Sequence, residues 1–189
     1  TPTPNGTNVI APVASPSNLA VNEWFANPGA GDMDWLELFN RSASAPVALR
    51  GLYFGTSNAL FAYNALSFLA PLGHVQLFAD EQAGADQLEF KLPAASGAIT
   101  LYSPTTAMLD SITYGSQAVG VSEGRLPDGD VNVTAFAGSV SPGASNYVLS
   151  YSGPMLNEVL ARNDRATVSP WGTASDFVEW YNPGGSAVS

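Results

Sequence analysis

Two short segments hold most of the side chains in this sequence that could do chemistry. Asn22-Glu23 precedes "DWLELFN" at Asp34 to Asn40, and Asn157-Glu158 precedes "DFVEWYN" at Asp176 to Asn182. Glu37 alternates with Leu36 and Leu38, so on an extended strand it shares a face with Trp35 and Phe39. Glu179 stands in the same way with Phe177 and Tyr181. A carboxylate among rings loses hydration, which raises its pKa and suits it to general-acid work, with Glu23 on the preceding strand as its partner. The same groups could instead accept hydrogen bonds from loop amides and Asn side chains, and so fix how the two strands begin. A hydrolase using Glu23 and Glu37 needs a cleft that leaves both carboxylates accessible to solvent; the structural alternative does not.

Other reactive residues are sparse. His74 is the only histidine and opens the apolar run "HVQLFA", with no triad or metal-ligand spacing around it, so the expectation is a surface or turn histidine. "PDGDVN" at Pro127 to Asn132 has Asp, Gly and Asn like a calcium loop but lacks the ligand spacing and the closing Glu; it reads as a hairpin turn. No phosphate-cradling glycine pattern follows a strand, and there is no cysteine for thiolate or metal chemistry. The residues therefore imply no cofactor. Three glycosylation sequons begin at Asn5, Asn40 and Asn132.

The elements that must carry these residues are short. From Leu19 onward, runs such as "LAVNEWFA", "WLELF", "VALRGLYF", "HVQLFA", "LEFKL", "AITLY", "MLDSITY" and "VNVTAFA" alternate with turn segments such as "NPGAGD", "AASG" and "LPDGD". "NALFAYNALSFLAPL" is the nearest approach to helical spacing and reads as at most a helical turn or an irregular crossover. Many short strands at near-regular spacing imply an all-β sandwich or barrel.

The division along the chain follows from the repeat. Residues 1–17, with Pro2, Pro4, Pro12 and Pro16, read as a Pro/Thr/Ser-rich linker, residues 18–148 as one complete module and 149–153 as a joint. Residues 154–189 read as the truncated start of a second module. The Asn-Glu pairs lie 135 residues apart and the closing Asn residues 142 apart, so the loop between the two strands is longer by about seven. A period of that size is a whole domain rather than a solenoid repeat. The start, without an initiator Met or a signal-type core, suggests a removed leader or a piece of a longer chain.

Charge narrows the partners. With 16 acidic residues against 6 basic ones the net charge is -10, which repels phosphate backbones and anionic lipid, so neither nucleic acid nor membrane insertion is expected. No apolar run approaches the roughly 18 to 20 residues that span a bilayer.

The order of motifs resembles the lamin tail domain family in its bacterial, exported form. The resemblance rests on "VNEW" at 21–24, "DWLELFN" at 34–40, "PVALRGLYF" at 46–54, "FKLPAASGAITLYSP" at 90–104, "LDSITYGSQ" at 109–117, "SEGRLPDG" at 122–129 and "SPGASN" at 141–146. The matching positions are Asn22, Glu23, Asp34, Trp35, Glu37, Asn40, Gly124, Arg125, Pro127, Asp128 and Gly129, with Asn157, Glu158, Asp176, Glu179 and Asn182 in the second copy. It implies an immunoglobulin-like β-sandwich and a non-catalytic module of a larger secreted or cell-surface bacterial protein. Such a module would bind a surface polymer or protein, or serve as a spacer in a tandem array. A partner would meet the "NPGAGDMD" loop, the apolar 58–72 stretch or an edge strand. The incomplete copy, whose two or three strands cannot bury a core, is expected to pack on the first module, pair with another chain or remain poorly ordered, with self-association as one outcome.

Overall fold

In the computed structural model, the described residues are 6, 12–57, 59–149, 153–164, 168, 172–184 and 186–187. The sequon at Asn5 and most of the expected linker lie outside them. The chain divides into two compact units, Thr1–Leu149 and Ser150–Ser189.

The first unit is an all-β sandwich. One sheet contains six strands in the order β12-β11-β1-β2-β7-β8, and the other contains four in the order β10-β9-β4-β5. The first sheet comprises β1 (Leu19–Phe25), β2 (Trp35–Asn40), β7 (His74–Ala79), β8 (Gln87–Leu88), β11 (Val121–Arg125) and β12 (Val133–Ala137). The second comprises β4 (Tyr53–Gly55), β5 (Leu60–Ala62), β9 (Gly97–Tyr102) and β10 (Met108–Tyr114). β3 (Val47–Ala48) pairs with β6 (Phe68–Leu69). Leu36, Leu38 and Leu77 of the first sheet and Phe54, Ile99 and Leu101 of the second belong to one buried cluster, the contiguous core that a sandwich requires.

The apolar stretch at 59–72 is not a helical turn: it carries two short strands, β5 and β6, in different sheets, joined by residues 63–67 without regular structure, so of the two alternatives the irregular crossover is the one found. Two expectations need correction. Packed structure begins ahead of residue 18: Ser15 caps a short 3-10 helix, Pro16–Asn18, and the Ala14 amide donates to the Pro46 carbonyl at 2.8 Å. His74 is not a surface or turn histidine, because pairing of β7 with β2 sets it opposite Phe39, under cover, with its side chain 8% exposed.

A bulge in β1 gives the six-stranded sheet a second buried side. Val21 pairs with Leu38 and Glu23 with Glu37, so Asn22 is the extra residue. Leu19 and Val21 point into the core before it, and Trp24 and Ala26 after it. Alternation therefore leaves Asn22 and Glu23 together on the opposite face, where Glu37 and Phe39 also lie.

The second unit repeats this start. β13 (Met155–Leu160) pairs antiparallel with β14 (Phe177–Tyr181), Glu158 opposite Glu179, with the register shift again at the Asn, here Asn157. The positions equivalent to core residues of the first unit, Leu156, Val159, Val178 and Trp180, are exposed.

Candidate functional site

Asn22, Glu23 and Glu37 are fully buried. Three of the four carboxylate oxygens accept hydrogen bonds from donors of their own, and the fourth, Glu23 Oε2, shares the single Ser141 hydroxyl proton with Asn146 Oδ1, which lies closer at 3.0 Å. Glu23 Oε1 accepts from the Ser122 hydroxyl at 2.5 Å and the Ser141 amide at 3.4 Å; its Oε2 accepts from the Ser141 hydroxyl at 3.3 Å. Glu37 Oε1 accepts from Asn22 Nδ2 at 3.0 Å, and Oε2 from the Gly143 amide at 2.6 Å. The donors from 141–143 belong to the segment after β12, which therefore lies across the outer face of the sheet as a strap. Gly143 has φ +78, a backbone conformation that glycine adopts without steric cost, and this turns its amide toward Glu37.

Asp128 joins the same network from the β11–β12 turn. Its Oδ1 accepts from Asn22 Nδ2 at 3.0 Å and from the Asn146 amide at 2.9 Å. Its Oδ2 is 3.3 Å from His74 Nε2, and the His74 ring lies 4.7 Å from Phe39. Asn22 returns an acceptor to the turn, taking the Gly129 amide at 2.8 Å. Pro127 precedes it through a cis peptide with Leu126. Asn146 Nδ2 bridges the Asn22 and Arg125 carbonyls at 3.2 and 2.9 Å.

Arg125 fastens the bulge from the other side. Its Nε donates to the Val21 carbonyl at 2.8 Å, and Nη2 alone lies 2.8 and 3.0 Å from the two Asp110 oxygens, a charge-assisted contact, while Nη1 donates to the Asp130 carbonyl. Asp110 Oδ2 also takes the Val21 amide at 2.8 Å, so the ion pair covers backbone groups on both sides of the chain. Gly124 runs so close to β1 that a Cβ there would meet the Asn22 carbonyl oxygen at 2.5 Å.

Electrostatics follow from this burial. Loss of hydration pushes Glu37 from an ordinary 4.5 up to about 8; the bonds from Asn22 and Gly143 oppose the rise, and the charges of Glu23 and Asp128 add to it. Burial also raises Glu23, against its bonds from Ser122 and Ser141. Burial would raise Asp128 as well, but the Asn146, Asn22 and Ser145 hydrogen bonds and the nearby His74 outweigh it, and this carboxyl lies below its usual 3.8.

The other positions from the sequence act outside this cluster. Asp34 Oδ2 accepts the Leu92 amide at 3.1 Å, and Trp35 packs edge-on to Phe25 at 5.8 Å. Asn40 is buried, donating to the Ala45, Leu69 and Ala70 carbonyls and accepting the Ser42 amide, so its sequon is not presented at the surface. In the second unit, Asn157 Nδ2 donates to Glu179 Oε1 as Asn22 does to Glu37. Asp176 accepts the Asn163 amide at 2.9 Å, and Asn182 accepts the Gly184 amide two residues on, as Asn40 accepts that of Ser42. Glu158, unlike Glu23, is exposed.

Sequence reasoning missed the roles of Asp110, Ser122 and Asn146. Asp110 had a signal: an acid inside the apolar strand "MLDSITY" requires a partner when one strand face is buried.

The arrangement can hold the strap, the turn and the bulged strand in one polar network. It cannot admit a substrate to Glu23 or Glu37 without displacing the strap. Among the described residues no group of three or more His, Asp or Glu side chains is placed to hold a metal ion, and no helix is long and apolar enough to cross a membrane. No known family model matches the chain, and no curated protein is similar to it.

Proposed function

We propose that this chain is a non-catalytic recognition module of the lamin-tail, immunoglobulin-like type, with one complete copy and the start of a second. It serves in a larger exported bacterial protein and binds a surface polymer or extracellular protein without turnover. The observation that carries this reading is the full burial of Glu23 and Glu37 beneath the strap, with both oxygens of Glu37 and Oε1 of Glu23 accepting from Asn22, Gly143, Ser122 and Ser141. A catalytic acid needs a free path to the atom it protonates, and these carboxyls are committed to the protein's own donors. The repeated bulge and the matching Asn157 to Glu179 bond support the two-copy description, because a local geometry that recurs with its hydrogen bond reflects one module begun twice. Export and the bacterial setting rest on the motif order and on the Thr/Pro/Ser-rich start.

The test is a binding titration of the chain against an array of polysaccharides and extracellular proteins, with product analysis of each positive. Saturable binding without new products is expected. Turnover that Glu37→Gln abolishes would favour the hydrolase, and silence across the array would favour a spacer.

A further inference from the structure

The open edge of the sandwich beside β5 has the features of a strand-binding site. β5 is the last strand of the four-stranded sheet, and β8 is the last of the six-stranded one. Between these two margins lies a cavity of about 310 Å³, lined by Phe61, Tyr63, Ala85, Gln87, Leu88 and Glu89 among others. Tyr63 ties the two margins together by donating its hydroxyl to the Ala85 carbonyl. Phe61 packs against Phe90 with the rings tilted and their centroids 4.9 Å apart, which gives the cavity an aromatic wall fixed to the core.

The backbone direction of β5 follows from its flanks. The Ala59 carbonyl accepts from Thr56, and the Tyr63 amide donates to the Leu52 carbonyl, so these odd-numbered residues bond toward β4. In an antiparallel pair the intervening residues turn their N–H and C=O the other way. Leu60 and Ala62 therefore offer up to four main-chain groups along an edge that no strand occupies among the described residues. Leu60 on this edge is exposed at 53%, and Leu66 and Phe68 in the segment that follows β5 are exposed at 74 and 56%.

We propose that this edge binds an extended peptide strand of a protein partner, with apolar side chains at alternate positions and basic residues between them. Main-chain pairing with Leu60 and Ala62 fixes its register, and one inward apolar side chain enters the cavity beside Phe61 and Leu88. The basic residues answer the acidic rim: Glu89 lines the cavity, Asp86 is exposed next to it, and the nearby Lys91 is engaged with Glu81 at 3.4 Å. The same rim argues against a second copy of this chain as the occupant, because two copies would bring like charges together. The inference rests on the recognition reading and specifies its partner.

The experiment uses the full chain and a fluorescent ten-residue peptide of alternating Val and Lys, followed by anisotropy at moderate salt. Two control peptides replace every Lys by Glu, or alternate Val by Pro. Saturable binding of the Val/Lys peptide is expected, at least tenfold weaker for the Val/Glu peptide and absent for the Pro peptide, which cannot pair. Ala62→Pro, at an outward-facing amide, should abolish binding, and the exposed Glu89→Lys should weaken it at least tenfold with an unchanged circular dichroism spectrum. Glu89→Lys and the Pro peptide decide the matter even if Ala62→Pro fails to fold. No binding at millimolar peptide, or binding indifferent to both of these changes, overturns the proposal. So does a dimer that Ala62→Pro disrupts, which would assign the edge to a second copy. Peptide silence alongside a positive in the polymer and protein array refutes this site while leaving the recognition reading intact; silence in both refutes both.

Discussion

Glu37 offers the sharpest quantitative test. In the unfolded chain it ionises near 4.5, whereas in the fold burial holds its proton until about 8. Between those values the folded state binds the extra proton, so this group's contribution is fully present below pH 4.5 and is lost as pH rises through 8. At about 1.4 kcal/mol for each tenfold change in proton affinity, the full span is about 5 kcal/mol, and the part lost between pH 5 and pH 8 is about 3.5 kcal/mol. That is a large share of the roughly 5 to 15 kcal/mol that stabilises an ordinary domain. Glu37→Gln removes the titration. Its amide, however, cannot present acceptors to both Asn22 Nδ2 and the Gly143 N–H, a conflict that costs about 1 to 3 kcal/mol at every pH. Urea unfolding from pH 4 to pH 9 should therefore show the native protein more stable at the acid end, the curves crossing between about pH 5 and 7, and the variant more stable above. Glu23 and Asp34, also raised by burial, leave a residual slope of the same sign in the variant. Asp128 acts in the opposite sense, its contribution being lost only as pH falls below its usual 3.8, outside this window. A variant destabilised by the same amount at pH 5 and pH 8 would refute the reasoning.

Other consequences follow from the same network. Gly124→Ala places a methyl against the Asn22 carbonyl and should cost about 1 to 3 kcal/mol by overpacking, read as a lower urea midpoint at unchanged slope. Asp110→Ala leaves Arg125, 5% exposed, without its carboxylate and should cost about 3 to 5 kcal/mol by the same assay. Residues 1–149 expressed alone should unfold in one cooperative thermal transition, because every core-cluster residue lies within them.

Much of this fold was legible because its inner-face strands are apolar and short. β1, β2, β7, β9, β10 and β12 each coincide with a run of aromatic or β-branched residues. β11 escaped because "VSEGR" faces the polar cluster, where Ser122 and Arg125 serve as hydrogen-bond donors and Gly124 leaves space for β1. The bulge was not legible, because every residue of β1 is buried and apolar residues of both parities, Ala20 and Phe25 as well as Val21 and Trp24, flank Asn22-Glu23. Only the partner strands reveal that the bulge gathers Asn22, Glu23 and Glu37 on one face. Burial of His74 was not legible for a related reason: it depends on β7 lying beside β2 and on a turn more than fifty residues later bringing Asp128 over the ring. The candidate carboxylates were thus found from sequence, but their role depended on the strap, whose "SPGASN" looks like an ordinary turn.

The buried carboxyls hold the strap against the sheet. Amide hydrogen exchange at Ser141, Gly143 and Asn146 tests it most directly, since each of these N–H groups donates to Glu23, Glu37 or Asp128. Exchange at these three amides should be slowed to the range of the central strand β1, and Gly143 should exchange faster in Glu37→Gln. Exchange at unprotected-loop rates in the native protein would contradict it, because the strap would then be open and the carboxyls reachable.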